Sequence, residues 1–161
     1  MYPAVDVAID LLKVAASSGY SLTPMQVQKL VYIAHGISLA QRGLPLINEK
    51  INAWQYGPVI PEIYGRFRNY QSQPIPLADL PESTRSSGID TESLRILEDV
   101  VRNFARLSGG QLSELSHRVG SPWHSVWFDQ KGHEVRGAII PDSLIRPHYQ
   151  QILHSGRVEC L

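Results

Sequence analysis

The chain has 161 residues, and its 15 basic side chains balance its 15 acidic ones, so the formal net charge is zero. Without a long basic run, strong bulk attraction to nucleic acids or to anionic membranes is excluded, and we expect neither as a direct partner. No apolar run approaches the roughly 18 residues of a membrane span, and no basic segment precedes an apolar one at the start, which predicts a cytoplasmic domain. The lone cysteine, Cys160, excludes an intramolecular disulfide.

The first half of the chain predicts two long helices, a short strand and a third helix. Apolar residues recur at helical spacing over residues 4–18 and again over residues 24–42, where a threonine cap precedes a proline at the first helical position. Residues 51–55 alternate like a strand, which we expect to end at Gly57-Pro58. A third helix is predicted over residues 61–70, because its first residue is proline and apolar residues recur at spacings of three and four.

The second half predicts a loop, four further helices and one more strand. In chain order we expect a surface loop over 71–90, helices over 91–107 and 108–119, a short helix that starts at Pro122, a strand in "GAIIP" and a last helix over 143–153. Pro147 is compatible with the last helix only in or near its first turn, because a later proline removes a backbone hydrogen bond. These segments predict a mostly α (α+β) domain, a compact body of six or seven helices with a small two- or three-stranded sheet.

Signatures of catalysis, metal binding and cofactor binding are weak. The sequence has no nucleophile elbow, no phosphate-binding loop and no dinucleotide fingerprint, so we predict no cofactor. His117 and His124, even with His133, lack the ligand spacing of a zinc site, so we predict no metal. Cys160 lies in a predicted tail, which is a poor place for a nucleophile that must be held rigidly.

His117 is the best candidate for acid–base chemistry. It could pair with Glu114 or with Asp129 as a general acid–base group. The simpler interpretation is a histidine at a helix end whose ring bonds a backbone carbonyl or a neighbouring carboxylate. We favour this interpretation and predict no catalytic residue.

An aromatic corner, "AWQYGPVIPEIYGRF", occupies residues 53–67. Aromatic rings bury large apolar areas, so Trp54 is most simply a core residue. Tyr56, like Tyr32 in the preceding helix, is amphipathic and of the type that anchors protein interfaces, so we expect both to be exposed.

Three stretches in order carry a resemblance to a known family. They are "MQVQKLVYIAHG" (25–36), "INAWQYGPVIPEIY" (51–64) and "LSELSHRVGSPWHSVW" (112–127), which resemble the signature blocks of the Panacea domain, also called the SocA-like antitoxin or phage-associated GepA-like family. The segment "GAIIPDSLIRPHYQQI" resembles the family's closing strand and helix. The resemblance covers residues 4–153 and leaves residues 154–161 as a short tail.

The resemblance implies an antitoxin and no enzymatic activity. The family is associated with toxin–antitoxin pairs and mobile genetic elements, and its members neutralise a cognate toxin protein by binding it or by handing it to a protease, here possibly of the AAA+ class. The family's motif residues that we assign to partner contact are Gln28, Lys29, Tyr32, Tyr56, Gly57, Pro58, Tyr64, His117 and Pro122. Those assigned to packing are Leu30, Trp54 and Trp123.

Other functions stay open at this point. Some members carry a DNA-binding domain ahead of the Panacea block; because the first predicted helix begins near residue 4, we expect none here. One alternative is an enzyme that uses His117 with a nearby carboxylate on a small ligand, and another is a prophage protein that counters host defence. A binding module should copurify with the product of the adjacent gene, whereas an enzyme should hold His117 in a deep polar pocket.

Overall fold

The computed structural model describes residues 1–82 and 88–156, and within these ranges it contains seven α-helices and one three-stranded sheet. The helices are α1 (Ala4–Ser17), α2 (Pro24–Arg42), α3 (Pro61–Phe67), α4 (Thr91–Phe104), α5 (Gly109–Ser116), α6 (Pro122–His124) and α7 (Asp142–Ser155). The strands are β1 (Ile51–Trp54), β2 (Gly57–Val59) and β3 (Ile139–Ile140). Short 3₁₀ turns lie at Arg68–Tyr70, Leu77–Asp79 and Gly132–Glu134, and a π-helical turn at Ser125–Asp129 follows α6. The predicted mostly helical fold with a small sheet is confirmed.

Helix α2 is the centre of the fold, because α1, α4, α5 and α7 all pack around it. Its start is fixed by a capping box between Thr23 and Gln26, and its end by Gly43 in the left-handed conformation. Every residue over 27–39 is buried, so the helix meets neighbours around its whole circumference. Its polar side chains therefore need partners inside the protein.

His35 is one such buried polar residue, and it joins α2 to two distant segments. Its Nε2 atom lies 2.7 Å from Asp142 Oδ1 at the first residue of α7. Its Nδ1 atom accepts hydrogen bonds from the backbone N–H groups of Leu46 at 3.2 Å and Ile47 at 3.4 Å. One imidazole ring thus fixes the start of α7 against the segment that follows α2.

Helix α7 continues through Pro147, so the prediction that this proline must lie near the first turn is wrong. The helix begins at Asp142, which makes Pro147 its sixth residue. A proline there removes a backbone donor and destabilises an isolated helix. The buried side chains of Ile145, Tyr149 and Ile152 hold the helix in place against the core.

The sheet contains a hairpin where the sequence predicted the end of a strand. Strand β1 lies between β2 and β3, antiparallel to both, and Trp54 pairs with Gly57 across a two-residue turn. Gly57-Pro58 therefore does not end the sheet but begins β2. This strand packs against α2 and α5 and leads through Ile60 into α3.

The predicted loop over 71–90 is anchored at its start. Ile75 is buried, and its backbone N–H donates to the Leu22 carbonyl at 2.8 Å. A helical turn at Leu77–Asp79 follows. The part of the prediction that falls on residues 83–87 lies outside the described residues, as does Cys160.

Helix α4 ends earlier than predicted, at Phe104 and not at residue 107, whereas α5 begins close to its predicted start at residue 108. The Ser108 hydroxyl accepts from the Gln111 N–H at 3.1 Å, and Gln111 bonds back to Ser108 at 2.9 Å. This capping box starts α5, and α4 has already ended at Phe104. Local capping thus fixes the start of α5 at the position that the sequence predicted.

The close packing of α7 on α2 yields a first prediction. A Cβ atom on Gly36 would lie 2.4 Å from the Tyr149 ring, whereas a Cβ on Gly65 of α3 would meet nothing within 4 Å. We expect Gly36→Ala to lower the free energy of unfolding by about 1–3 kcal/mol through overpacking. Gly65→Ala, the matched control, should raise it by up to ~1 kcal/mol through helix propensity.

Chemical denaturation of both variants measures the two changes. Equal effects of the two substitutions would contradict the close contact between α2 and α7.

Candidate functional site

A buried lysine on α2 holds the β1–β2 hairpin in place. The side chain of Lys29 is 1% exposed, and its Nζ atom donates to the Tyr56 carbonyl at 2.9 Å and to the Pro58 carbonyl at 3.0 Å. Within residues 1–82 and 88–156 no carboxylate pairs with it. Burial lowers the pKa of Lys29 to about 7, and the two carbonyl acceptors oppose this shift by favouring the ammonium form.

Gly57 leaves the space that the Lys29 ammonium occupies. A Cβ atom at this position would lie 2.7 Å from Lys29 Nζ and 2.9 Å from Ser116 Oγ. The φ angle of Gly57 is also 113°, a value that residues with side chains rarely adopt. Glycine is therefore required at position 57 for two reasons: its backbone conformation and the close approach of Lys29.

Three other side chains fasten the same hairpin. The Gln28 amide bonds both backbone groups of Ile60, donating to its carbonyl at 3.0 Å and accepting from its N–H at 2.9 Å. Ser113 Oγ donates to the Tyr56 carbonyl at 2.6 Å. Trp123 Nε1 donates to the Trp54 carbonyl at 2.6 Å.

These bonds close the outer edge of β2. The groups that face away from β1 are the carbonyls of Tyr56 and Pro58 and both backbone groups of Ile60, and each has a side-chain partner. Pro58 itself has no N–H to offer. The hairpin edge is thus closed to the addition of another strand.

His117 lies beneath the hairpin in a partly buried position. Its ring packs edge-on against Trp123 with 4.2 Å between centroids, and its Nδ1 lies 3.4 Å from Ser113 Oγ. Burial first, and the nearby Lys29 charge second, lower the pKa of His117, while the backbone of Gln55 acts in the opposite direction. The Nε2 atom is buried and makes no hydrogen bond of normal geometry within the described part of the chain.

The proposed acid–base pairs of His117 are not formed. Among the described residues, neither Glu114 nor Asp129 makes an ion pair or a hydrogen bond with this ring. Ser113, the nearest hydroxyl, already donates its proton to a carbonyl. Within the described residues, the ring packs against Trp123 with Nδ1 beside the Ser113 hydroxyl, and no carboxylate bonds it.

Trp54 is partly exposed, which overturns its prediction as a core residue. Its carbonyl is bonded beneath the hairpin, but its ring projects beside Tyr64, with 5.1 Å between centroids and 70° between planes. Tyr64 is 46% exposed and Tyr56 is 63% exposed. The tryptophan therefore belongs to a surface that the tyrosines share.

This surface, which we name the aromatic groove, has a volume of about 530 Å³. Its apolar lining consists of Pro24, Met25, Trp54, Tyr56, Val59, Ile63 and Tyr64. Lys29 and Gln28 reach its floor from α2, and Arg68 lies at its α3 side. The volume falls in the range of ordinary ligand-binding clefts.

The other motif residues lie inside the protein. Leu30, Trp123 and Pro122 are buried. Tyr32, which we expected to be exposed, is 2% exposed and packs edge-on against Tyr149 with 6.0 Å between centroids, so that prediction is wrong. It faces α7, because α2 is covered on every side.

Sequence reasoning missed three residues of this region. Ser113 and Ser116 lie in the third signature block, where their role depended on knowing that α5 faces the hairpin. Arg68 follows Tyr64 at a spacing of four, a helical signal that could have placed both on one side.

The described residues contain neither a cluster of metal ligands nor a helix that could span a membrane. Over 1–82 and 88–156, no three His, Cys, Asp or Glu side chains are grouped so that they could hold a metal ion. His124 and His133 lie against the Phe128 ring instead, at centroid distances of 4.8 and 6.2 Å. In the same ranges, no helix has the length and apolar character that crossing a bilayer requires.

The buried lysine predicts a pH dependence of stability. The pKa of Lys29 is about 7 in the folded state, against 10.5 as its ordinary value, so unfolding takes up a proton between these limits. Stability should therefore rise with pH across this window, and Lys29→Met should abolish that rise. We expect the difference between wild type and variant to grow by on the order of 1 kcal/mol per pH unit between about pH 7.5 and 9.5.

Urea denaturation at several pH values measures this difference, with Lys50→Met as the control because Lys50 is exposed. Parallel stability curves for wild type and Lys29→Met would contradict the lowered pKa of the buried lysine.

Comparison with known proteins agrees with the predicted family. The family model described as "Antitoxin SocA-like, Panacea domain" matches residues 27–124, a range that contains the hairpin and its fastening residues. "Antitoxin SocA" of Caulobacter vibrioides (strain NA1000 / CB15N) is 33% identical over 148 residues, which cover 87% of this chain and 78% of that protein. No solved structure matches the chain. The chain therefore belongs to the SocA-like antitoxin family that is defined by the Panacea domain.

Proposed function

We propose that this protein is an antitoxin that neutralises a cognate protein toxin by direct binding, and that the aromatic groove is its contact surface. The observation that carries the proposal is the grouping of the exposed Tyr56 and Tyr64 rings with the partly exposed Trp54 ring, on the fastened hairpin and the adjoining α3. Tryptophan and tyrosine are the side chains that most often anchor protein interfaces. Because the chain belongs to an antitoxin family, we infer that its partner is a toxin.

A preformed surface favours tight binding. Lys29, Gln28 and Ser113 fix the hairpin backbone from below, so its exposed rings lose little further freedom when a partner binds. The partly exposed Trp54 is additionally held by its carbonyl bond to Trp123.

The contacts of the motif residues favour binding over catalysis. His117 faces Trp123 and Ser113 under the hairpin, with its Nε2 atom buried. A general acid or base must reach the proton that it transfers. An enzyme built on His117 and a carboxylate therefore receives no support from the geometry, and we propose no enzymatic activity.

Neutralisation has two routes that the same surface serves. In the first, the groove covers the toxin and blocks it. In the second, the bound toxin is passed to a AAA+ protease in the cytoplasm. The half-life of the toxin in cells that express this protein separates them, because only delivery to a protease shortens it. A prophage protein against host defence would use the same groove on a different partner.

Variants of the groove test the binding surface. We expect Trp54→Ala and Tyr56→Ala to weaken toxin binding by up to ~2 kcal/mol or more each, with loss of growth rescue when the adjacent gene product is expressed. Phe128→Ala is the matched control, because Phe128 is an exposed aromatic residue (52%) outside the groove. Because Trp54 is partly exposed, Trp54→Ala should cost less than the roughly 3–5 kcal/mol of a buried aromatic truncation.

A pull-down and a thermal melt accompany the growth assay, so that unfolding is distinguished from lost contact. Full rescue by folded Trp54→Ala and Tyr56→Ala proteins would place the toxin contact elsewhere.

Substitution of His117 by Asn tests the catalytic alternative. Asparagine retains hydrogen-bonding capacity but cannot transfer a proton near neutral pH. We expect His117→Asn to fold, with a loss of about 1 kcal/mol from an imperfect hydrogen bond, and to protect cells as the wild type does. A folded variant that binds the toxin at wild-type strength but gives no protection would show that the protein performs chemistry.

A further inference from the structure

The charges that line the aromatic groove are all positive. Lys29 and Arg68 reach it, and no Asp or Glu side chain lines it. The remaining lining is apolar or aromatic, apart from the amides of Gln28, Gln55 and Gln71. A segment that fits this surface should be apolar and should carry negative charge.

Arg68 is the exposed charge of this surface, and it has no carboxylate partner among the described residues. Three other arginines pair with carboxylates: Arg42 with Asp90, Arg95 with Glu92 and Arg102 with Asp99. Arg66, two positions before Arg68, lies over the Phe67 ring at 5.3 Å and does not line the groove. The guanidinium of Arg68 is thus available to an incoming carboxylate, which it can hold through two parallel hydrogen bonds.

The closed hairpin edge decides how a segment can bind. Since the outward backbone groups of β2 and of its flanking residues are bonded to Lys29, Ser113 and Gln28, a partner cannot extend the sheet at this edge. Recognition must use side chains, with an apolar anchor between Trp54 and Tyr56 and a polar group at the α3 side.

We propose that the aromatic groove binds an apolar segment of the partner protein that carries a carboxylate beside its anchor side chain, and that Arg68 pairs with this carboxylate. This inference rests on the proposed function and specifies the chemistry of its partner. Burial of the anchor supplies the apolar contact, and the Arg68 ion pair sets the position and direction of the segment.

A library of random peptides of about twelve residues, displayed on phage and selected on the full chain, tests the proposal without knowledge of the toxin. We expect the recovered sequences to combine an aromatic or long aliphatic residue with Asp or Glu. Synthetic peptides of these sequences, with blocked termini, are then titrated by fluorescence anisotropy. Arg68→Glu should weaken binding roughly tenfold or more, whereas Arg66→Glu, the matched control, should change it less than about twofold.

A charge exchange makes the assignment specific. Replacement of the peptide's carboxylate residue by Lys should abolish binding to the wild type and restore part of it to Arg68→Glu. Recovered peptides without acidic residues, no recovered peptide at all, or equal losses in Arg66→Glu and Arg68→Glu would overturn the proposal. Binding only of small aromatic acids, and of no peptide, would also overturn it.

Failure of this inference is distinguishable from failure of the proposed function. If Tyr56→Ala abolishes toxin binding while Arg68→Glu does not, the groove binds the toxin and only the carboxylate pairing is wrong. If no toxin binds the chain but acidic apolar peptides depend on Arg68, the groove chemistry holds and the antitoxin function fails.

Discussion

The rest of the site depends on one buried ammonium group and the two carbonyls that it binds. The Lys29 side chain leaves the central helix and ends under the hairpin, where its Nζ atom holds the carbonyls of Tyr56 and Pro58. A buried charge is energetically costly unless its hydrogen bonds are satisfied. A side chain at position 57 would collide with the Lys29 Nζ atom, so the glycine is as necessary for these bonds as the lysine itself. The same bonds that satisfy the lysine also close the strand edge. The exposed rings above, of which Tyr56 is the most exposed, therefore lie on a backbone that is already in place.

The position of α2 explains why so few motif residues reach the surface. A helix covered on all sides must satisfy each polar side chain internally, so Gln28, Lys29 and His35 became fastening residues for the hairpin and for α7. The first signature block lies on α2 and supplies the side chains that support the aromatic groove. The exposed rings of the groove belong to the hairpin and to α3. The family match covers both the supporting residues of α2 and the hairpin that carries Trp54 and Tyr56.

Much of the fold could be predicted from apolar spacing and capping, because these signals are local. The strong cap at Thr23 and the apolar stripe of α2 predicted that helix within a residue. The site could not be predicted in the same way. Whether Trp54 is buried depends on which face of the hairpin meets α2, and whether Tyr32 is exposed depends on the packing of α7, which are both tertiary contacts. Likewise, the sequence identifies Gly57 as a turn residue. That it must also leave room for a side chain depends on Lys29, which lies 28 positions earlier in the chain. Pro147 shows the converse, since tertiary burial overrides a local preference against proline in a helix.

Hydrogen–deuterium exchange of the protein, free and bound to its toxin, tests the central claim most directly. The claim is that the toxin covers the fastened hairpin and the adjoining α3. We predict that binding slows exchange in peptides that span residues 54–71, while the arginine-lined depression between α4 and α5, around residues 102–118, exchanges as in the free protein. Protection of the α4–α5 depression with unchanged exchange in the hairpin and α3 would contradict the claim.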